Sequence, residues 1–232
     1  GYTARSTGQM IVVVKLDVSK PLEAGLSVVP AENQDTISAG EGDDVIFGGA
    51  GDDIITAERG HNSVLGDNGL VVFDTDGSPK VLETTDTEGG SGGDDEITIT
   101  GDGENVVFGG MGSDAISTQN GTDVIFGDNG RVEYSGPVGE LELSLMESTV
   151  PSAGGDDVIV TGEGEKHIVG GFGSDVITAG AGDHVVLGDN GLVEFDTDGS
   201  PKVLETTDTE GGTGGDDEIT ITGDGENVVF GG

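Results

Sequence analysis

Gly48-Gly49-Ala50-Gly51-Asp52-Asp53-Ile54-Ile55-Thr56 is the stretch whose reading decides the fold. It returns as Gly109-Gly110-Met111-Gly112-Ser113-Asp114-Ala115-Ile116-Ser117 and as Gly170-Gly171-Phe172-Gly173-Ser174-Asp175-Val176-Ile177-Thr178, always at the same interval. All three read Gly-Gly-x-Gly-x-Asp-x-U-x, where U is a large aliphatic residue. Glycine supplies the positive-φ and close-approach positions of a tight turn. The x-U-x that follows suits a short strand with one side chain turned inward.

Working outward, the tetrapeptide Gly-Asp-Asn-Gly starts at Gly66, Gly127 and Gly188, and so keeps the same interval. Two such units form a super-repeat, in which 64–110 and 186–232 differ only at Val72/Glu194 and Ser91/Thr213. A finer period of nine runs inside each unit. Asp-x-U-x steps begin at Asp35, Asp44, Asp53 and Asn62 in the first unit, and at Asp157, Lys166, Asp175 and His184 in the third. The second unit continues from Asn105, Asp114 and Asp123, after an opening step at Asp95 that carries one extra residue, read as a bulge. Four steps of nine do not fill a unit, and the remainder reads as a β-hairpin: 70–74 with 80–85, 131–134 with 140–145, and 192–196 with 202–207. Residues 10–17 with 26–29 read as the hairpin of the first unit. Helical periodicity is absent.

The expected architecture is therefore all-β, a parallel β-roll (β-solenoid) interrupted by a hairpin in every 61-residue unit. Its segments are a hairpin region at 1–34, roll at 35–69, hairpin at 70–94, roll at 95–130, hairpin at 131–156, roll at 157–191, hairpin at 192–216 and the start of a further roll at 217–232. The chain begins at Gly1 without a start Met or signal pattern and stops at Gly232 inside a repeat, so it reads as a segment of something longer.

Charge narrows the partners. Of 232 residues, 46 are acidic and 8 basic, for a net charge of −38. Nucleic acid and anionic membrane would repel such a chain. With 32% hydrophobic residues in short Val/Ile/Phe runs, the composition suits an acidic scaffold whose self-repulsion is relieved by bound cations better than it suits disorder. There is no cysteine, hence no disulfide and no thiolate metal site.

Two nonapeptide steps make one coil, so every second turn lies over the same edge. Between such turns lie backbone carbonyls and Asp carboxylates, a hard-oxygen environment that fits Ca2+ better than the stricter octahedron of Mg2+. In these motifs the chain resembles the RTX, or haemolysin-type, calcium-binding repeats of large secreted bacterial proteins such as giant adhesins. The resemblance implies a parallel β-roll that folds on calcium. Carried over by position, it points to Gly48, Gly49, Gly51 and Asp53, to Gly109, Gly110, Gly112 and Asp114, and to Gly170, Gly171, Gly173 and Asp175 as calcium-holding turns. They stack on the Gly-Asp-Asn-Gly turns, which offer Asp67, Asp128 and Asp189. An alternative for that tetrapeptide is that Asn-Gly reverses the chain into the hairpin.

The opposite edge departs from the pattern. Its Asp position holds Asp44, Asn62, Asn105, Asp123, Lys166 or His184, and its first Gly is replaced by Ala39, Ala57, Thr100, Thr118, Thr161 or Ala179. Asp44 and Asp123 are the weaker ligand candidates there. Lys166 brings its own cation, so the third unit is expected to lack calcium on that edge. His61, His167 and His184 have no zinc-like spacing and read as solvent-facing or packed strand residues.

Outward apolar pairs, Val45/Phe47, Val106/Phe108, Val124/Phe126, Val185/Leu187 and Val228/Phe230, mark a face that must be covered, by the hairpin or by a second copy of the chain. No catalytic constellation is present: no His-Glu-x-x-His, no nucleophile elbow and no cysteine. The sequence thus reads as a non-enzymatic, calcium-dependent structural segment of an extracellular protein, an adhesin stalk or filament. The alternatives are a self-associating or matrix-binding module and the secretion region of an exported enzyme.

Overall fold

The computed structural model describes residues 14–15, 34–86, 92–207 and 214–231. The hairpin expected at 10–17 with 26–29 lies largely outside them. The described chain is all-β and forms three sheets. Seven strands (Thr36–Ser38, Ile54–Ala57, Glu96–Ile99, Ala115–Ser117, Val158–Val160, Val176–Ala179 and Glu218–Ile221) make a parallel sheet with one face open to solvent. Opposite it lies an eight-stranded sheet of Val14–Lys15, Asp44–Phe47, Ser63–Leu65, Asn105–Phe108, Asp123–Phe126, Lys166–Gly171, His184–Asp189 and Asn227–Phe230, parallel except for its first strand. The chain alternates between the two sheets, one short strand in each, and so winds a two-sided roll.

The inward ladder is the U position of the nonapeptide. Ile37, Ile46, Ile55, Val64, Ile97, Val107, Ile116, Ile125, Ile159, Ile168, Ile177 and Val186 are all buried in one continuous core. That core takes only one or two side chains from each strand, so it is thin and the roll depends on what its turns contribute. Burial in the seven-stranded sheet alternates, as in Val158–Val160 with only Ile159 buried. A sheet with one wet face requires that pattern. Asn105–Phe108 and Asp123–Phe126, in contrast, are buried at every position.

The third sheet explains the difference. Hairpins Gly69–Phe73/Pro79–Thr84, Gly130–Ser135/Glu142–Ser148 and Gly191–Phe195/Pro201–Thr206 join edge to edge into one antiparallel, six-stranded sheet. Its inward side chains Val71, Leu82, Val132, Met146 and Val193 pack on Val45, Leu65, Phe108, Phe126, Val169 and Leu187. Phe108 and Phe126 stack with centroids 5.2 Å apart, and His167 meets the Phe195 ring edge-on at 4.9 Å. The outward Val/Phe/Leu stripe is thus covered by the chain's own hairpins from Val45 to Leu187, while Val228 and Phe230 are exposed. One tip forms at Gly77, whose φ of 93° is the left-handed conformation that glycine tolerates.

Two expectations are corrected. The extra residue of the Asp95 step is not a strand bulge: Ile54–Ala57 and Glu96–Ile99 pair without a register shift, Ala57 opposite Ile99. The residue is absorbed in the turn 100–104, and Ile99 rather than Thr100 takes the place of the first glycine. Nor does the last Gly of Gly-Asp-Asn-Gly serve as a left-handed reversal, because Gly69, Gly130 and Gly191 are not among the positive-φ glycines. A Cβ at these positions would strike Leu65, Phe126 or Leu187. Glycine is needed there for the close approach of hairpin to roll.

Truncation should separate the ladder from the open face. Ile125→Ala, at a fully buried site, is expected to cost about 2–5 kcal/mol in denaturant unfolding of the calcium-loaded chain. Val160→Ala, 44% exposed, is expected to stay within about 0.5 kcal/mol of the parent.

Candidate metal centre

Along one edge of the roll a chain of carboxylates links the coils. The backbone N–H of Asp35 donates to Asp53 Oδ1 at 2.6 Å, that of Asp53 to Asp95 Oδ1 at 2.7 Å, and that of Asp95 to Asp114 Oδ1 at 2.7 Å. The N–H of Asp114 then donates to Asp157 at 2.7 Å, that of Asp157 to Asp175 at 2.8 Å and that of Asp175 to Asp217 at 2.9 Å. Each aspartate stands at the foot of a strand, where its N–H would otherwise lack a partner in the coil above. This use of Oδ1 fixes where the second oxygen points.

The second oxygens are buried and have no hydrogen-bond partner: Oδ2 of Asp53, Asp95, Asp114, Asp157 and Asp175. Each faces a glycine at the start of a turn. A Cβ on Gly48 would collide with both Asp53 Oδ2 and the Gly66 carbonyl oxygen. The same holds for Gly66 with Asp95 Oδ2 and the Gly109 carbonyl, Gly109 with Asp114 Oδ2 and the Gly127 carbonyl, and Gly170 with Asp175 Oδ2 and the Gly188 carbonyl. The missing side chains leave a cradle lined by one carboxylate and one carbonyl per coil. The second and third glycines shape the turn in the left-handed region, with φ of 115° and 101° at Gly49 and Gly51, 120° and 113° at Gly110 and Gly112, and 123° and 115° at Gly171 and Gly173.

Buried anionic oxygens without partners are costly unless a cation faces them. Among the described residues no three His, Asp or Glu side chains cluster as metal ligands, so a cation on this edge must take much of its shell from backbone carbonyls. That donor set, all oxygen and only partly charged, fits Ca2+ and does not fit zinc or copper.

Burial raises the carboxyls of Asp53, Asp95, Asp114, Asp157 and Asp175. Desolvation lifts Asp53 to about 7, Asp95 to about 8 and Asp175 to about 7, from an ordinary 3.8. It also holds Asp114 and Asp157 well above that value, their neighbouring aspartates adding to the effect.

Asp95, Asp157 and Asp217 fill the role that the sequence assigned to Asp67, Asp128 and Asp189. The turn begun by Gly66-Asp67 is interrupted by the hairpin and completed by Gly92-Gly93-Asp94-Asp95, with Gly92 bridged to Gly51. The later turns are split in the same way, Gly214 bridging Gly173. A legible signal was present: Gly-Gly-Asp-Asp at 92–95, 154–157 and 214–217 is the second half of the motif. Asp67 and Asp128 lie beside the column, and Asp67 Oδ1 is likewise buried with no hydrogen-bond partner. Asp67 Oδ2 accepts from the Met111 N–H at 2.6 Å, and burial lifts its carboxyl to about 9. Asp128 accepts from the N–H groups of Phe172 and Gly155. Asp189 sits against Gly214 in the corresponding place.

The opposite edge aligns Asp44, Asn62, Asn105, Asp123, Lys166, His184 and Asn227 in one row. Asp44 is buried there, outside the carboxylate column. Asp123 is not available to a metal. Asn105 donates to its Oδ1 through N at 3.2 Å and Nδ2 at 2.8 Å, while Thr118 and Lys166 donate to its Oδ2 at 2.8 and 2.7 Å. A carboxylate has about four acceptor positions, and all are used. His61 is exposed beside Glu104 and His167 is packed on Phe195.

The family model of the RTX calcium-binding nonapeptide repeat (4 copies) matches residues 32–64, 99–131 and 167–191. No curated protein and no solved structure matches the chain. The three stretches match RTX repeats, and the column of partnerless oxygens offers donors suited to a calcium ion.

The raised carboxyls set a pH dependence for the metal-free chain. The folded form holds protons that the unfolded form releases near 3.8, so stability is greatest below that pH and falls as pH rises through about 7 to 8. Circular dichroism in chelator should therefore show more β signal at pH 4.5 than at pH 8.5, and saturating calcium should abolish the difference. A chelated chain with equal signal at both values would contradict the buried column.

Proposed function

Because residues 32–64, 99–131 and 167–191 are RTX calcium-binding repeats, we propose that this chain is a calcium-folded structural segment of a long extracellular bacterial protein, an adhesin stalk or filament. The observation that carries this reading is the column of buried Oδ2 atoms at Asp53, Asp95, Asp114, Asp157 and Asp175. These residues and the carbonyls of the facing glycines would hold calcium. Bound calcium supplies the positive charge that lets stacked carboxylates ionise inside the roll. With so thin a core, that charge reinforces the strand pairing between one coil and the next.

Length is the second part of the reading. A hairpin in every repeat unit and the near-identity of 64–110 with 186–232 suit tandem extension. Extracellular calcium modules bind in the range of roughly 0.1–1 mM. Such affinity keeps the chain unfolded at low calcium and folds it outside the cell, since binding energy in these systems is folding energy. Packing of the Val/Phe/Leu stripe under the hairpins favours this reading over lateral assembly through that stripe. No catalytic constellation supports an enzymatic reading of this segment.

Chelation is expected to remove the β circular-dichroism signal and added calcium to restore it. Identical spectra and melting temperatures with and without chelator would sink the proposal. Asp114→Asn removes one charge from the column and is expected to weaken calcium binding by roughly tenfold in a titration followed by the same signal.

A further inference from the structure

The opposite edge has its own answer to buried carbonyls. Lys166 is one of eight basic residues in the chain, and its side chain is fully buried with that of Asp123. Its ammonium does not serve its own turn. It reaches back across the sheet pairing to the preceding coil, where Asp123 lies directly opposite. There Nζ donates to the Gln119 carbonyl at 3.2 Å, the Gly121 carbonyl at 2.8 Å and Asp123 Oδ2 at 2.7 Å. An ammonium has three protons to donate, and all three are placed. Two backbone carbonyls and a carboxylate of one turn converge on a single positive charge, which is the donor set of half a calcium site.

Neighbouring turns on this edge reach the same end with other nitrogens. Counting back from the Asp position, Lys166 takes the carbonyls four and two residues before Asp123. Asn62 Nδ2 takes the equivalent carbonyls of its own turn, Glu58 at 3.1 Å and Gly60 at 3.5 Å. His184 Nε2 lies 3.1 Å from the Gly180 carbonyl, again four residues back, and must carry the proton to donate there. In two turns both of these carbonyls, and in a third the one four residues back, are therefore satisfied by protein N–H groups.

We infer that Lys166 is a permanent, covalently tethered occupant of a cation site in the turn 119–123, and that with Asn62 and His184 it closes this edge of the roll without calcium. The roll is asymmetric in consequence. One edge waits for metal, and in the folded roll the other is held by the chain's own nitrogens. The inference rests on the calcium-folding reading, because it assigns the ammonium the place that an ion would take.

Counting ions tests it. Native mass spectrometry of the calcium-saturated chain gives the number bound by the parent. Lys166→Asp removes the tethered charge and restores the carboxylate of the repeat pattern, and the count is expected to rise by one. An equal, non-zero count in both proteins overturns the inference while the calcium reading stands; no bound ions in either overturns both. Should Lys166→Asp fail to fold, Lys166→Met keeps the stem and removes the charge. Uncovering Asp123 in this way is expected to raise the unfolded-to-folded ratio on the order of a hundredfold or more at fixed denaturant. An unfolding curve unchanged from the parent overturns the inference.

Discussion

The structure depends on stacking like charges. Each aspartate of the column gives one oxygen to the backbone N–H of a neighbouring coil and turns the other into a glycine-lined cradle. The first half of that arrangement sets the register of every coil and works in any ionisation state. The second half brings carboxylates together in a dry place, where each raises its neighbours' affinity for protons. Protons or a divalent ion can relieve the repulsion, and at neutral pH only the ion leaves the oxygens charged. On the proposed reading, folding and cation binding are one event on this edge.

The thin core makes this coupling decisive. A ladder of one or two aliphatic residues per strand gives each coil little burial of its own, and the open face of the seven-stranded sheet adds little. The hairpin sheet compensates on one side by burying a second apolar layer. Its six strands run continuously across three units, so each unit is tied to the next both through the roll and over it.

Much of this was legible. The nine-residue period placed Ile37, Ile46, Ile55 and their successors in the core because a strand alternates and a turn of fixed length preserves phase. The outward pairs at Val45/Phe47 and Val124/Phe126 signalled a covered face for the same reason. What the period concealed was an interruption inside a turn. Asp67 follows the first glycine of its turn and looked like its ligand, whereas the completing aspartate, Asp95, comes after the hairpin at the end of Gly92-Gly93-Asp94-Asp95. Local spacing cannot show that two fragments separated by a whole hairpin make one turn; only the stacking on Gly51 does. On the other edge, Lys166 was correctly read as a cation, but its reach into the preceding coil depends on the pairing of Lys166 with Asp123, which no linear pattern displays.

A hairpin that leaves and re-enters within one turn has an evolutionary consequence. Its two ends are held side by side, for example by Asn68, whose N–H and Nδ2 both donate to Asp86 at 3.0 and 2.9 Å. What lies between them can lengthen or change at small entropic cost. The middle hairpin already differs, carrying Ser135-Gly136-Pro137-Val138-Gly139 where the first has Thr75-Asp76-Gly77-Ser78-Pro79. The column and the aliphatic ladder are indifferent to that choice. The roll is therefore a constant axis with replaceable side pieces, and variety along a tandem array can accumulate on one flank without renegotiating the fold.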